Sequence, residues 1–165
     1  MLAHRTILSI CLVALAIQNV RCQPSGDTLF TYCWTWSHGD TIATIQLPRG
    51  FQLSKEDEYG EGKITALVWS DSSVVLLHFG GDVHTPLLRA DDFVVQDSSF
   101  SQGRLTRRGT VADTYFFWRE DELGIYHIAY FGVRRDRVKV FDTSLTSFSP
   151  HNASKSQSGK VQGSK

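Results

Sequence analysis

The sequence predicts a mainly β protein, a single-domain antiparallel sheet of sandwich or barrel-like form, with an α+β fold carrying one or two short helices as the alternative. Apolar residues alternate with polar ones at period two in several short runs, which is typical of half-buried strands. About seven such runs follow one another with short turns between them, as in all-β domains. The chain of 165 residues is long enough for one hydrophobic core.

The first half of the chain is predicted to form two hairpins. Residues 30–36 carry aromatic side chains on one parity, and turn residues then lead to a return strand at 41–47. The acidic stretch 53–59 is predicted to be either a short helix or an exposed loop. The second predicted hairpin consists of strands 63–69 and 73–79.

The second half is predicted to end in a three-stranded meander. A short helix from Pro86 and a short strand at 93–95 precede it, and the Ser-rich stretch 97–103 is predicted to be a loop. The meander is predicted to contain strands 110–118, 124–133 and 137–141, an acidic loop at 119–123 and a basic turn at 134–136.

The two ends of the chain differ from its middle. Residues 7–17 are apolar and follow His4 and Arg5, a run too short for the roughly 20 residues that cross a bilayer. The predicted organisation is a cleaved signal peptide at 1–22, a globular domain at 23–148 and a disordered basic tail at 149–165. The protein is therefore expected to be secreted or extracytoplasmic, in a periplasm or outside the cell, without a transmembrane segment.

The predicted globular domain is acidic although the whole chain has no net charge. Residues 23–148 contain 12 Lys and Arg against 17 Asp and Glu, a net charge of −5. This charge argues against nucleic acid as a partner.

Three residues are candidates for covalent modification or disulfide formation in an exported protein: Cys22, Cys33 and Asn152. A lipid anchor at Cys22 is an alternative that the preceding Arg21 disfavours. A retained Cys22 would be able to pair with Cys33, and without it Cys33 is predicted to be buried. Asn152 opens a glycosylation sequon, which matters only in a host that glycosylates exported proteins.

The aromatic parity of the first strand is the most distinctive feature of the sequence. Phe30, Tyr32, Trp34 and Trp36 would form one apolar strip. Such a strip is able to stack sugar rings or other planar ligands, so Tyr32, Trp34 and Trp36 are candidate ligand-binding residues. The alternative, which we favour, is that the strip is the core face of the strand.

Histidines supply the candidates for metal binding and catalysis. His78, Asp82 and His84 lie around a Gly-Gly turn, but they lack the spacing of known zinc motifs. His127 and Asp113 would meet on one face if their strands paired as a hairpin, either as a structural hydrogen bond or as an acid–base dyad. We predict neither a metal site nor a cofactor, and no catalytic residue is assigned.

Arginines cluster in two predicted turn regions. If both turns lie at one end of the domain, the six side chains would form a basic rim for carboxylates, phosphates or an acidic partner. Solvated turns are the favoured alternative. The six residues are Arg104, Arg107, Arg108, Arg134, Arg135 and Arg137.

The sequence thus predicts a small exported module that works by binding, without enzymatic activity. Nucleophile elbows, phosphate loops and dinucleotide-binding glycine motifs are all missing from the chain. The alternatives are an extracytoplasmic hydrolase or metal enzyme that uses His and Asp residues, and a β-barrel carrier of a small apolar ligand. The partner is expected to be an unidentified protein, carbohydrate or small molecule.

Overall fold

A computed structural model of the protein describes residues 28–80 and 92–151. These residues form a mostly antiparallel β structure with one short α-helix, which confirms the predicted fold class. The strands are β1 (Leu29–Thr35), β2 (Thr41–Pro48), β3 (Gln52–Tyr59), β4 (Gly62–Val68), β5 (Val74–Phe79), β6 (Phe93–Ser101), β7 (Arg104–Val111), β8 (Phe117–Leu123), β9 (Tyr126–Val133) and β10 (Ser149–Pro150). A 3₁₀ turn at Arg135–Arg137 leads into helix α1 (Val138–Thr146).

The described strands form two separate antiparallel sheets. The small sheet has the order β1-β2-β10, and the large sheet has the order β3-β4-β5-β9-β8-β7-β6. The position of β9 between β5 and β8 means that two segments distant in sequence are neighbours in the middle of the large sheet.

The core lies between the small sheet, α1 and one face of the large sheet, which we call the core face. Side chains of alternate parity meet there because successive residues of a strand point to opposite faces. Completely buried members from the two sheets and the helix include Trp34, Leu67, Leu77, Ile128 and Phe141.

On the large sheet, the core extends towards β7 only as far as the strands that helix α1 covers. It packs against β2 and β9 and reaches β8, while β7 and β6 continue the large sheet beyond it. The helix is nine residues long, and no helix within the described ranges has the length and apolarity needed to cross a membrane.

Two predicted loops are strands in the structure. The predicted acidic loop 119–123 forms most of β8, where Arg119, Glu120 and Asp121 are buried. The predicted Ser-rich loop 97–103 belongs largely to β6. Arg107 and Arg108 of the neighbouring strand β7 pair with Glu120 of β8 and Asp97 of β6, so these carboxylates have cationic partners within the sheet.

The predictions for two further segments were also wrong. The acidic stretch 53–59 belongs to the exposed edge strand β3, where charged side chains discourage pairing with another chain. The predicted strand 137–141 enters α1 instead. Its residues continue into a stripe in which Phe141 and Leu145 are buried at helical spacing, and this stripe outweighs the local alternation of valines.

Candidate functional site

A row of polar side chains crosses the core face along one side of α1. Asp97 of β6 lies opposite Arg108 of β7, Arg108 lies opposite Arg119 of β8, and Arg119 lies opposite Tyr130 of β9. Towards the core, the same row continues with Val75. Arg119 and Tyr130 are buried beneath α1, whereas Asp97 and Arg108 are half exposed.

Three residues of this row, Asp97, Arg108 and Tyr130, line a cleft between α1 and the sheet, which we call the α1 cleft. The cleft has a volume of about 220 Å³, and Phe117 and Val138 supply apolar walls. Asp142 of the helix and Arg108 of the sheet line it from opposite sides. Beyond Val138 and Asp142, a wider groove of about 640 Å³ runs along the helix past Arg135.

Arg119 ties the helix to the sheet at the base of the cleft. Its Nε and Nη2 donate to the two carboxylate oxygens of Asp121 at 2.9 and 2.8 Å. Its Nη1 donates to the main-chain oxygen of Asp142 at 3.2 Å. Burial by itself lowers the pKa of Arg119, but the hydrogen bonds to Asp121 outweigh it and the pKa is raised. The guanidinium therefore stays charged, and Asp121 and the main chain of α1 occupy its hydrogen-bond donors.

Tyr130 is the second fixed group of the cleft. Its hydroxyl donates to Oδ1 of Asp142 at 2.9 Å. Burial and the negative charge of Asp142 raise the pKa of Tyr130 far above its usual range. The phenol therefore stays protonated and donates its proton to Asp142.

Arg108 differs from Arg119 because it reaches solvent. Its Nε and Nη2 both donate to Oδ2 of Asp97, at 2.8 and 2.6 Å. The two side chains are 52% and 50% exposed, so water screens the ion pair. Arg108 is thus the cation of the row that a ligand in the cleft is able to reach.

The opposite face of the large sheet holds a second polar cluster. His78 of β5 and His127 of β9 are direct cross-strand neighbours, both buried, with ring centroids 6.3 Å apart. Oε1 of Glu120 lies 3.8 Å from Nδ1 of His127. The Tyr59 hydroxyl contacts Nε2 of His78. Burial lowers the pKa of His78, and the neighbouring His127 lowers it further.

The shape of this cluster depends on a glycine. The ring of Tyr59 crosses β4 at Gly62, where a Cβ would lie 2.6 Å from the ring.

Both ring nitrogens of His127 and Nδ1 of His78 have no hydrogen-bond partner within the described ranges. The described part of the chain also contains no group of three or more His, Cys, Asp or Glu residues arranged to hold a metal ion.

The aromatic strip of β1 packs on the core. Trp34 is completely buried, and its indole nitrogen donates to the Thr65 hydroxyl at 2.9 Å. Tyr32 and Trp36 are half-buried, and the Trp36 ring packs edge-on against Phe79. A ligand therefore has no access to Trp34, while ligand binding by Tyr32 and Trp36 stays a prediction.

The histidine candidates are arranged differently from the prediction. Asp113 lies in the exposed turn between β7 and β8, at the end of the sheet away from His127, so these two residues do not meet. The neighbour of His127 is instead His78. Asp82 and His84 lie outside the described residues, so the predicted grouping around His78 stays a prediction.

The six arginines do not form one rim. Arg104 and Arg108 lie on the core face of β7, and Arg107 lies on the opposite face. The other three follow the end of β9 that is remote from Arg104. Of these three, Arg135 borders the groove outside the α1 cleft, with its guanidinium 5.9 Å from the centre of the Phe117 ring.

Sequence reasoning missed Arg119, Asp121, Tyr130 and Asp142 as parts of a site. They lie on β8, β9 and α1, and only the strand order and the helix bring them together. The sequence offers no local signal for those on β8, because residues 119–122 are charged on both parities and show no apolar alternation.

Cys33 and the start of the predicted tail lie within the described residues, and the other features predicted near the two ends do not. Cys33 is exposed on β1, which corrects the prediction of a buried thiol, because its parity is opposite to that of Trp34. Ser149–Pro150, at the start of the predicted tail, pairs with β2 as β10. The predicted signal peptide, Cys22 and Asn152 lie outside the described residues.

No family model, curated protein or solved structure matches this chain.

Proposed function

We propose that this chain is a small exported binding module that takes a small molecule into the α1 cleft without carrying out chemistry on it. The observation that supports the proposal is the cleft itself. Aromatic and aliphatic walls at Phe117 and Val138 stand beside converging polar groups of Arg108, Tyr130 and Asp142. This combination of apolar lining and a few oriented polar groups is typical of small-molecule sites.

The volume of the cleft supports a ligand of modest size. At about 220 Å³, it is smaller than the roughly 300–1,000 Å³ that hold drug-sized ligands. The groove along α1 gives the ligand an open approach past Arg135 and Lys139.

The charge states around the cleft favour binding over catalysis. A general acid or base needs a pKa near the working pH. The pKa of Tyr130 is raised far above neutrality, and the pKa of Arg119 is raised as well. Both groups therefore keep their protons near pH 7 and exchange none with a ligand.

The two alternatives have less support from the described residues. A carrier of an apolar ligand predicts a closed sheet around an apolar cavity, whereas the described strands form two sheets around a core filled by Trp34 and Phe141. A hydrolase built on His127 and Asp113 needs these side chains together, and they lie at different ends of the sheet.

A fragment titration followed by NMR would test the proposal. The full chain is titrated with small aromatic and aliphatic fragments, and bound fragments are expected to shift the amides of Gly109, Phe117 and Val138. Val138→Trp should fill the cleft and abolish binding. Lys55→Trp, which adds the same ring on the exposed strand β3, is the matched control and should bind like wild type. Fragments that bind Val138→Trp as well as wild type would contradict the proposal.

A further inference from the structure

We infer that the α1 cleft selects a small monocarboxylate, which displaces Asp97 and takes its place on Arg108. The inference rests on the proposed function, because it names the chemistry of a ligand in the same cleft.

The pair with Asp97 shows that the Arg108 guanidinium binds a carboxylate. Two of its N–H groups donate to one oxygen of a carboxylate, Oδ2 of Asp97. A free carboxylate is able to use both of its oxygens on the same planar fork, a bidentate geometry that Asp97 does not reach in this structure. A ligand carboxylate therefore gains a hydrogen-bond arrangement that the internal partner lacks.

Displacing Asp97 costs little. The two side chains are about half exposed, and ion pairs of this kind contribute about 0–1 kcal/mol to stability. Once displaced, Asp97 returns to water at the edge strand β6. By contrast, Asp121 is completely buried against Arg119, so a ligand has no means of entering that pair.

The charge around Arg108 favours a ligand with one negative charge. The neighbouring Arg119 is already neutralised by Asp121 and Asp142. Asp142 also lines the cleft, and its carboxylate repels a second negative charge on the ligand. A monocarboxylate is therefore preferred to a phosphate dianion.

The remaining walls indicate what the carboxylate is attached to. Phe117 and Val138 offer apolar contact next to Arg108. At the mouth, Arg135 and Lys139 are exposed cations that favour the approach of an anion. The ligand class is thus a carboxylate with a compact apolar body.

The test compares three probes that share a phenyl ring, on the full chain, by calorimetry and NMR. Phenylacetate should bind, while phenylacetamide and phenyl phosphate should bind at least about tenfold more weakly, since a charged hydrogen-bonded pair is lost or a second charge is repelled. Arg108→Gln should weaken phenylacetate about tenfold and phenylacetamide much less, because the amide loses a neutral hydrogen bond and not a charged pair. Asp97→Asn should strengthen phenylacetate severalfold, because it removes the competing carboxylate.

Arg134→Gln is the matched control, since Arg134 belongs to another exposed ion pair, with Asp136, outside the cleft. It should bind phenylacetate like wild type. Equal binding of phenylacetate and phenylacetamide at the cleft amides would overturn the carboxylate inference and leave the proposed function standing, as would a preference for phenyl phosphate. Failure of every probe and fragment to shift those amides would overturn both.

Discussion

Replacement of Arg119 by methionine is the sharpest test of how the helix is held on the sheet. Asp121 has no solvent-exposed surface, and two hydrogen bonds from Arg119 compensate its charge. Arg119→Met keeps a long apolar side chain in place but leaves this carboxylate without its main partner. Arg104, 3.4 Å away, is the remaining cation beside it.

The expected loss of stability is large for a single substitution. Removing one partner of a buried ion pair costs about 3–5 kcal/mol, because the other charge remains buried without compensation. The contacts of Arg119 with Asp142 and Thr146 on α1 are lost as well. For a domain of this size, the melting temperature should fall by about 10–20 °C.

Urea unfolding followed by circular dichroism measures this loss. Arg108→Met is the control, since it breaks a half-exposed pair, and it should lose less than about 1 kcal/mol. Adding Asp121→Asn to Arg119→Met removes the stranded charge and should restore at least half of the lost stability. The reasoning fails if Arg119→Met is no worse than Arg108→Met, or if the second substitution restores nothing.

Three further outcomes are expected from unfolding and exchange measurements. Burial and the nearby His127 hold the pKa of His78 below its ordinary 6.5, so the unfolded chain takes up this proton first as the pH falls. The free energy of unfolding should therefore decrease between pH 7.0 and about 5.5, and His78→Gln should flatten this dependence; an equal slope in both proteins would contradict it. In Gly109→Ala the new Cβ would lie 1.8 Å from the Val94 carbonyl oxygen, so β6 amides should lose hydrogen-exchange protection, and normal protection would refute the clash. Trp34→Ala should cost about 3–5 kcal/mol in urea unfolding, whereas a loss below about 1 kcal/mol would show that the ring is not a core element.

The strands with a clear apolar pattern were predictable from the sequence. The parity of Phe30, Tyr32, Trp34 and Trp36 marks one face of β1, and the structure turns that face towards the core. Short apolar runs bounded by turn residues located β2, β4, β5 and β9 to within a few residues. A local apolar pattern suffices there because apolar side chains have to be buried, whatever the neighbouring strands are.

The strand β8 was not predictable in this way. Its buried centre consists of Arg119, Glu120 and Asp121, which as isolated residues belong in water. Arg104, Arg107 and Asp142 neutralise them from β7 and α1. Such compensation depends on which strand lies alongside, a property that a local pattern does not contain.

The candidate site depends on non-local structure even more strongly. The sequence predicted Arg108 only as one of six arginines in a basic rim, and it predicted no role for Tyr130 or Asp142. The α1 cleft arises because the helix covers β9 and stops at β8, leaving Asp97 and Arg108 beyond its edge. The meeting of His78 with His127 likewise follows from the insertion of β9 beside β5.

By itself, the sequence determined the β class of this protein and the aromatic face that forms its core. It did so because strand periodicity and the burial of apolar area are encoded in neighbouring residues. Only the tertiary structure decided which charges are paired inside, which arginine reaches the cleft and which histidines face each other. Those outcomes depend on the order β5-β9-β8-β7-β6, where partners come from distant parts of the chain and the energy of each charge is determined by its neighbours.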